Sequence, residues 1–297
     1  MTVLVTGANG LVGSCVVARL DGAGEKVLAV GRGRSREVPA RVEYVELDVS
    51  RSGALRELIA STAPRGVVHC AAMTDVDACE SDPAQAWAVN VGATEQAALG
   101  CRDAGARLVA LSTDYVFDGE GGPYSEDDQP NPRGVYARTK YVAEQAAQLL
   151  APDCAVARVA AVYSGRRGAK RTFASAAAEQ LAAGKEVRAF QDQLVSPTLA
   201  DNAAEMVIGV LRSSERGIWH CAGASIVSRV EFCRALARKL RAEERLVVPV
   251  SMASAKLAAP RPARSALAVD KIQRLSGRTV PLELDAALDR FLAERAA

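Results

Sequence analysis

The sequence predicts an α/β fold with a doubly wound parallel sheet, on three observations. Strand-like and helix-like stretches alternate six times by residue 160, the pattern of βαβ units. The first strand runs straight into a turn with Gly7, Gly10 and Gly13, and a helix follows it. The composition, 49% hydrophobic and 24% charged over 297 residues, is that of an ordinary globular chain long enough for a full core.

Val3-Leu4-Val5 is the first strand, and Thr6-Gly7-Ala8-Asn9-Gly10-Leu11-Val12-Gly13 leads into an apolar helix from Cys15 to Leu20. In this context Gly7 permits the tight turn, Gly10 admits a pyrophosphate and Gly13 allows helix and strand to pack closely. Amides at the helix start then face the phosphates. The predicted dinucleotide site therefore includes Gly7, Asn9, Gly10, Leu11, Val12 and Gly13.

Lys26 to Val30 is the second strand, and its end selects the cofactor. An NAD site places a carboxylate there, whereas this chain reads Gly31-Arg32-Gly33-Arg34-Ser35-Arg36 before Glu37. A planar guanidinium matches the oxygens of a 2′-phosphate, which predicts NADP(H) with Arg32 as its first contact. Val42 to Leu47 forms a third strand closing on Asp48-Val49, where a carboxylate could receive the adenine amino group. Gly66 to His69 is the fourth, and the small Ala71 and Ala72 after it suit close approach of a planar ring. A long helix from about Pro83 to Ala104 carries Asn90, counted with the cofactor-binding residues, and Arg107 to Leu111 is the fifth strand.

That fifth strand ends in Ser112-Thr113-Asp114-Tyr115, hydroxyls at the edge where ligands bind in open α/β sheets. After a loop come Tyr136 and Lys140, four residues apart and so on one helix face. On the pair alone a surface tyrosine with a solvated lysine is the better reading; Thr113 and the glycine turn reverse that. A lysine charge beside a phenol is expected to lower the tyrosine pKa and make Tyr136 a usable proton donor.

TGANGLVG, LSTDYVFDG, VYARTK, DQLVSPT, GIWHCAG and RPARSAL follow one another along the chain, and in this order the sequence resembles the dTDP-4-dehydrorhamnose reductase family, extended short-chain dehydrogenases acting on nucleotide sugars. The resemblance implies a Rossmann-like sheet over residues 1–160 and a smaller C-terminal α/β substrate-binding lobe over 161–297, with about 199–214 packing back on the first unit. It implies that Thr113 polarises a C4 carbonyl, Tyr136 donates the proton, and Lys140 binds the nicotinamide ribose while NADPH supplies hydride. It also implies substrate contacts from Asp114, Tyr115, the position of Ala161, and Arg261. Relatives commonly carry an aromatic residue where this chain has Ala161, and glycine where it has Val195, so the pocket is expected to be enlarged. The basic run Arg166 to Arg171 is open between a diphosphate contact and a solvated loop.

Two other readings compete. A non-catalytic NADP-binding subunit, like the regulatory subunit of methionine adenosyltransferase, is disfavoured by Thr113, Tyr136 and Lys140 occurring together. An epimerase or dehydratase is disfavoured by the arginines after the second strand and by Tyr115 standing where dehydratases carry Glu. The net charge of +2 gives no case for nucleic acid or a membrane surface. Seven scattered cysteines and two histidines give no metal spacing, and the thiols are expected reduced and mostly buried. The start, MTVLVTG, has no basic leader, so the chain is expected in the cytoplasm. A nucleotide sugar is the expected partner, and a homodimer is compatible with these features.

Overall fold

The computed structural model describes residues 2–36, 38–255, 257–275 and 280–296. Glu37, the first carboxylate after the arginine run, lies outside them. Short apolar runs, mostly buried on both faces, form the parallel strands of the main sheet, the edge strand Glu43–Glu46 being only partly buried. In chain order these are β1 (Thr2–Thr6), β2 (Lys26–Gly31), β3 (Glu43–Glu46), β4 (Gly66–His69), β5 (Arg107–Thr113) and β6 (Cys154–Val159). Between them lie α1 (Leu11–Gly22), α2 (Ala54–Thr62), α3 (Val76–Ser81), α4 (Pro83–Trp87), α5 (Ala93–Ala104) and α6 (Gly134–Leu150).

The chain then enters its C-terminal part through β7 (Val162–Tyr163), α7 (Phe173–Ala182), β8 (Val187–Phe190), β9 (Leu194–Val195), β10 (Thr198–Leu199) and α8 (Ala200–Arg212). It returns to the main sheet as β11 (Gly217–His220). The closing elements are β12 (Val227–Ser228), α9 (Arg229–Leu240), β13 (Val247–Val250), α10 (Asp270–Gln273) and α11 (Leu284–Ala296).

The main sheet has the order β11-β6-β5-β4-β1-β2-β3, and every neighbouring pair is parallel. Alternate residues feed opposite faces. Val3 and Val5 join Val16, Met206 and Val207 on one side, while Leu4 joins Leu55, Ile59 and Ala97 on the other. The strand order reverses between β1 and β4, which opens a crevice at their C-terminal ends. A third cluster, with Leu181, Phe232, Leu236 and Phe291, fills the C-terminal part around α7, α9 and α11. The helix α8 lies against α1 instead. Its Asp201 takes a two-pronged clamp from Arg19 at 2.7 and 2.5 Å, and Ala203 and Met206 join the main core.

The predicted α/β class is the one observed, with local differences. The helix expected over 83–104 is interrupted by a π-turn at Ala88–Gly92, which rotates Asn90 inward. The strand expected to run from Cys154 to Val162 breaks at Ala161, whose φ of 41° is left-handed. Among the described residues, no helix is long and apolar enough to cross a membrane.

Candidate active site

The glycine turn sits at the crevice between β1 and β4. Gly7 has a φ of 65°, and a Cβ there would meet the Ala71 nitrogen at 2.7 Å. A Cβ on Gly13 would meet the Gly7 carbonyl oxygen at 2.2 Å, so α1 approaches the turn only through glycine. Gly10 caps α1 without a side-chain hydrogen bond. The first amides of a helix have no intrahelical acceptor, so those of Leu11 and Val12 are suited to an anion. Ala71 and Ala72 leave β4 beside this turn, both half-buried. A cradle of bare backbone and free amides fits a dinucleotide pyrophosphate.

The arginine loop is held by a side chain of that same turn. Asn9 Nδ2 donates to the carbonyls of Arg32 and Arg34 at 3.2 and 3.1 Å and to the Tyr44 hydroxyl at 2.9 Å. Its Oδ1 accepts from the Arg36 amide at 3.1 Å, and the Tyr44 hydroxyl donates to the Gly33 carbonyl at 2.7 Å. The Asn9 side chain thus shapes the loop that presents Arg32, Arg34 and Arg36, all exposed. Asp48 folds back on Ser50, accepting from its amide at 3.0 Å and its hydroxyl at 2.7 Å through Oδ1. Those bonds, helped by Arg32, hold its carboxyl below the ordinary value. Val49 is buried against the core beneath it.

At the end of β5 the backbone turns through a 3₁₀ segment, Asp114–Val116, capped by Thr113. Thr113 Oγ1 accepts from the Tyr115 amide at 3.2 Å and donates to Asp114 Oδ1 at 3.1 Å. Asp114 Oδ2 accepts from the Ser265 hydroxyl at 2.5 Å. Burial pushes the Asp114 carboxyl up to about 6 against these bonds. Tyr136 lies across from this turn, its ring edge-on to Tyr115 at 5.8 Å between centroids. Burial holds the Tyr136 phenol above its ordinary value, against a smaller lowering influence from the Thr113 hydroxyl.

The expected effect of Lys140 on Tyr136 is therefore corrected. Lys140 Nζ donates to the Leu111 carbonyl at 2.7 Å, and burial, the dominant cause, pushes its own ammonium down to about 8 against Glu144 and Cys70. Asn90 is wholly buried. Its Oδ1 accepts from the Met73 amide at 2.8 Å, while Nδ2 donates to the Met73 carbonyl at 3.2 Å and the Thr139 hydroxyl at 2.9 Å. These bonds knit the β4 exit to the turn of α6 that carries Lys140.

Three of the sequence motifs converge around Thr113. The RPARSAL segment threads between LSTDYVFDG and DQLVSPT: the Arg264 amide donates to the Gly119 carbonyl at 3.0 Å and the Ser265 amide to the Leu194 carbonyl at 3.1 Å. A Cβ on Gly119, whose φ is 82°, would meet Pro262 at 2.6 Å. Arg261 is already engaged, donating to Asp77 at 2.8 Å and to the Ala259 carbonyl at 3.1 Å. It fastens the segment to α3. Ala161 stands half-buried at the β6 break, and Val195 is buried on β9.

Two features were missed from sequence. Arg158 grips Glu144 through two guanidinium nitrogens, Nε and Nη2, at 2.9 and 2.8 Å, both side chains being almost fully buried. Arg229, at the start of the unforeseen helix α9, bonds Gln193, and its charge is felt at Asp114 and Tyr115. The Ser-x-x-Glu signature at Ser228 and Glu231 would have revealed that helix.

The family model described as RmlD substrate binding domain matches residues 1–296. The chain is 36% identical over 291 residues to a probable low-salt glycan biosynthesis reductase, Agl14, of Haloferax volcanii, covering 97% of this chain and 96% of that one. It is 37% identical over 271 residues to a dTDP-4-dehydrorhamnose reductase of Mycobacterium tuberculosis, covering 89% and 84%. Among solved structures, a dTDP-4-dehydrorhamnose reductase from Bacillus anthracis in complex with NADP superposes with a TM-score of 0.86 at 25% identity, covering 99% of each chain. The matching motifs, the sheet order and these likenesses agree, and the chain belongs to the RmlD substrate-binding-domain family of dTDP-4-dehydrorhamnose reductase-like proteins.

Proposed function

We propose that this chain is an NADPH-dependent reductase of the C4 keto group of a nucleotide-linked deoxysugar. The observation that carries the proposal is Tyr136 packed edge-on to Tyr115, in the turn that Thr113 caps, together with a loop of exposed arginines held by Asn9 of the glycine turn. Reductases of dTDP-linked keto sugars among the relatives support it.

The cofactor, when bound, supplies a hydride. The chain's own residues do the rest. The amides at the start of α1 bind the pyrophosphate, and Arg32 meets the 2′-phosphate. Thr113 turns its hydroxyl from Asp114 to the substrate carbonyl oxygen, and Asp114, tied to Ser265, keeps the turn in place. Tyr136, kept protonated by burial, donates its phenolic proton to that oxygen as negative charge develops there. Lys140, anchored on the Leu111 carbonyl, presents a charge to the nicotinamide ribose.

The test is NADPH oxidation, followed by absorbance, with a dTDP-4-keto-6-deoxyhexose. Turnover is expected, and Tyr136→Phe should lower kcat by roughly 10²–10⁴-fold, the usual worth of a positioned acid, with NADPH affinity nearly intact. Absence of turnover despite NADPH binding, or a fully active Tyr136→Phe, would sink the proposal. The same reading expects a cytoplasmic enzyme and is compatible with a homodimer, the latter open to analytical ultracentrifugation.

A further inference from the structure

Arg229 is the first residue of α9, and its backbone is fixed from both sides. Ser228 Oγ accepts from the Glu231 amide at 3.1 Å, and the Glu231 carboxylate accepts from the Ser228 amide at 2.6 Å. Just before it, β12 pairs antiparallel with β9 in the polar loop. The side chain reaches across that loop. Its Nε donates to Gln193 Oε1 at 3.2 Å, and its guanidinium lies 5.0 Å from the centre of the Phe173 ring.

Three nearby cations have partners that fix them: Arg261 rests on Asp77, Arg158 on Glu144, and Lys140 on the Leu111 carbonyl. Among the described residues, Arg229 has no carboxylate within 4.0 Å and no hydrogen bond beyond the one to Gln193. A guanidinium has five N–H donors, so most of its recognition capacity is unassigned. Asp114 feels its charge, but that carboxylate is already bonded to Thr113 and Ser265. Arg229 is neither sealed in the core nor fully exposed, so part of the guanidinium is open to an arriving group. Withdrawing a cation from water without a counter-ion is costly, and an arriving anion would offset that cost.

We propose that Arg229 is a specificity-determining residue of this site, one that takes an anionic oxygen group of the substrate through its free N–H donors. The inference rests on the reductase reading above, and it names the chemistry of what binds. Two parts of a sugar nucleotide have that chemistry, the diphosphate and a carboxylate borne by the sugar ring. The planar fork suits either one.

The test uses the full chain with Arg229→Gln and Arg229→Lys. Calorimetry measures binding of dTDP and of NADPH, and NADPH oxidation gives KM for a neutral 4-keto sugar nucleotide and for one carrying a sugar carboxylate. Arg229→Gln is expected to weaken the anion-bearing ligand roughly 10–100-fold, the range of a charge-assisted hydrogen bond, with NADPH binding unchanged and part of the loss recovered by Arg229→Lys. Loss of dTDP affinity by that factor identifies the diphosphate as the group held. A loss confined to the carboxylated sugar identifies the carboxylate. Wild-type affinity for dTDP and both sugar nucleotides in Arg229→Gln would overturn the inference, and so would a parallel loss of NADPH binding, which marks a folding role. Because dTDP binding needs no turnover, an inert protein that binds dTDP through Arg229 defeats the reductase reading alone. An active enzyme indifferent to residue 229 defeats this inference alone.

Discussion

Replacing Asn9 with alanine should change which nicotinamide cofactor the chain prefers. Asn9 makes four hydrogen bonds, to the carbonyls of Arg32 and Arg34, the Tyr44 hydroxyl and the Arg36 amide. Each is worth about 0.5–1.5 kcal/mol net, and together they order residues 32–36 at a conformational cost of about 1–2 kcal/mol per residue. With them removed, binding of a 2′-phosphate must itself order the loop. The loss is bounded by what the arginine contact contributes, about 1.5–3 kcal/mol for a hydrogen bond to a charged group, or roughly 10–100-fold in affinity. NADH lacks the phosphate, and the alanine backbone preserves the glycine turn, so NADH should change less than about threefold. Fluorescence titration of both cofactors measures the difference, and Tyr44→Phe should reproduce part of it by releasing the Gly33 carbonyl. Equal losses for NADPH and NADH, or none, would show that the loop is not organised by Asn9 for phosphate recognition.

Glu144→Gln leaves the almost fully buried Arg158 without its carboxylate, and should cost about 3–5 kcal/mol in urea unfolding; a change below about 1 kcal/mol would mean that water reaches the pair. Lys140, whose ammonium burial pushes down to about 8, loses its charge as pH rises through that value, so kcat/KM should fall on the alkaline side near pH 8. A profile flat to pH 10 would refute a role for that charge. His69 and His220 are buried, burial being the main reason that both are pushed down to about 3. Their folded values lie below the unfolded value near 6.5, so the unfolded state binds more protons between these limits and stability falls as pH drops below 6.5. At pH 5 the loss should approach about 2 kcal/mol for each histidine, read as a lower urea midpoint than at pH 7; equal midpoints would place these rings in water.

The sheet was legible because its signals are local. β1, β4 and β5 are runs of buried apolar residues with no competing period, and the glycine turn marks where the first must end. What was hidden came from contacts distant in sequence. Ala161 takes a left-handed φ where β6 gives way to β7, and nothing in Val-Ala-Ala-Val announces that break. Asn90 sits in a π-turn, where one added residue in the helical ladder turns its side chain towards Met73 and Thr139. Residues 83–104 carry no helix-breaking proline beyond the first position, so a continuous helix was the natural reading. Arg229 was overlooked because its helix has a low mean hydropathy and because its neighbour Gln193 lies 36 residues earlier.

Tyr136 and Lys140 show where reading side-chain chemistry from spacing stops. A separation of four residues does place both on one face of α6, but it does not say where the long lysine side chain goes. Had the ammonium pointed at the phenol, the tyrosine would be the more acidic partner. Instead Nζ is drawn to the Leu111 carbonyl, two residues before Thr113 on β5, and the phenol is left with Thr113 in a dry setting. Burial therefore acts on the two groups in opposite directions, holding the phenol protonated and making the ammonium easier to neutralise. For a reductase this division is useful. A protonated phenol is the form that can donate, and it gives up its proton only when an oxyanion forms beside it. On the proposed reading the lysine charge, anchored to the strand that carries Thr113, would hold the ribose in register with the carbonyl to be reduced. The two residues have separate surroundings on one helix, where spacing alone had suggested a single coupled pair.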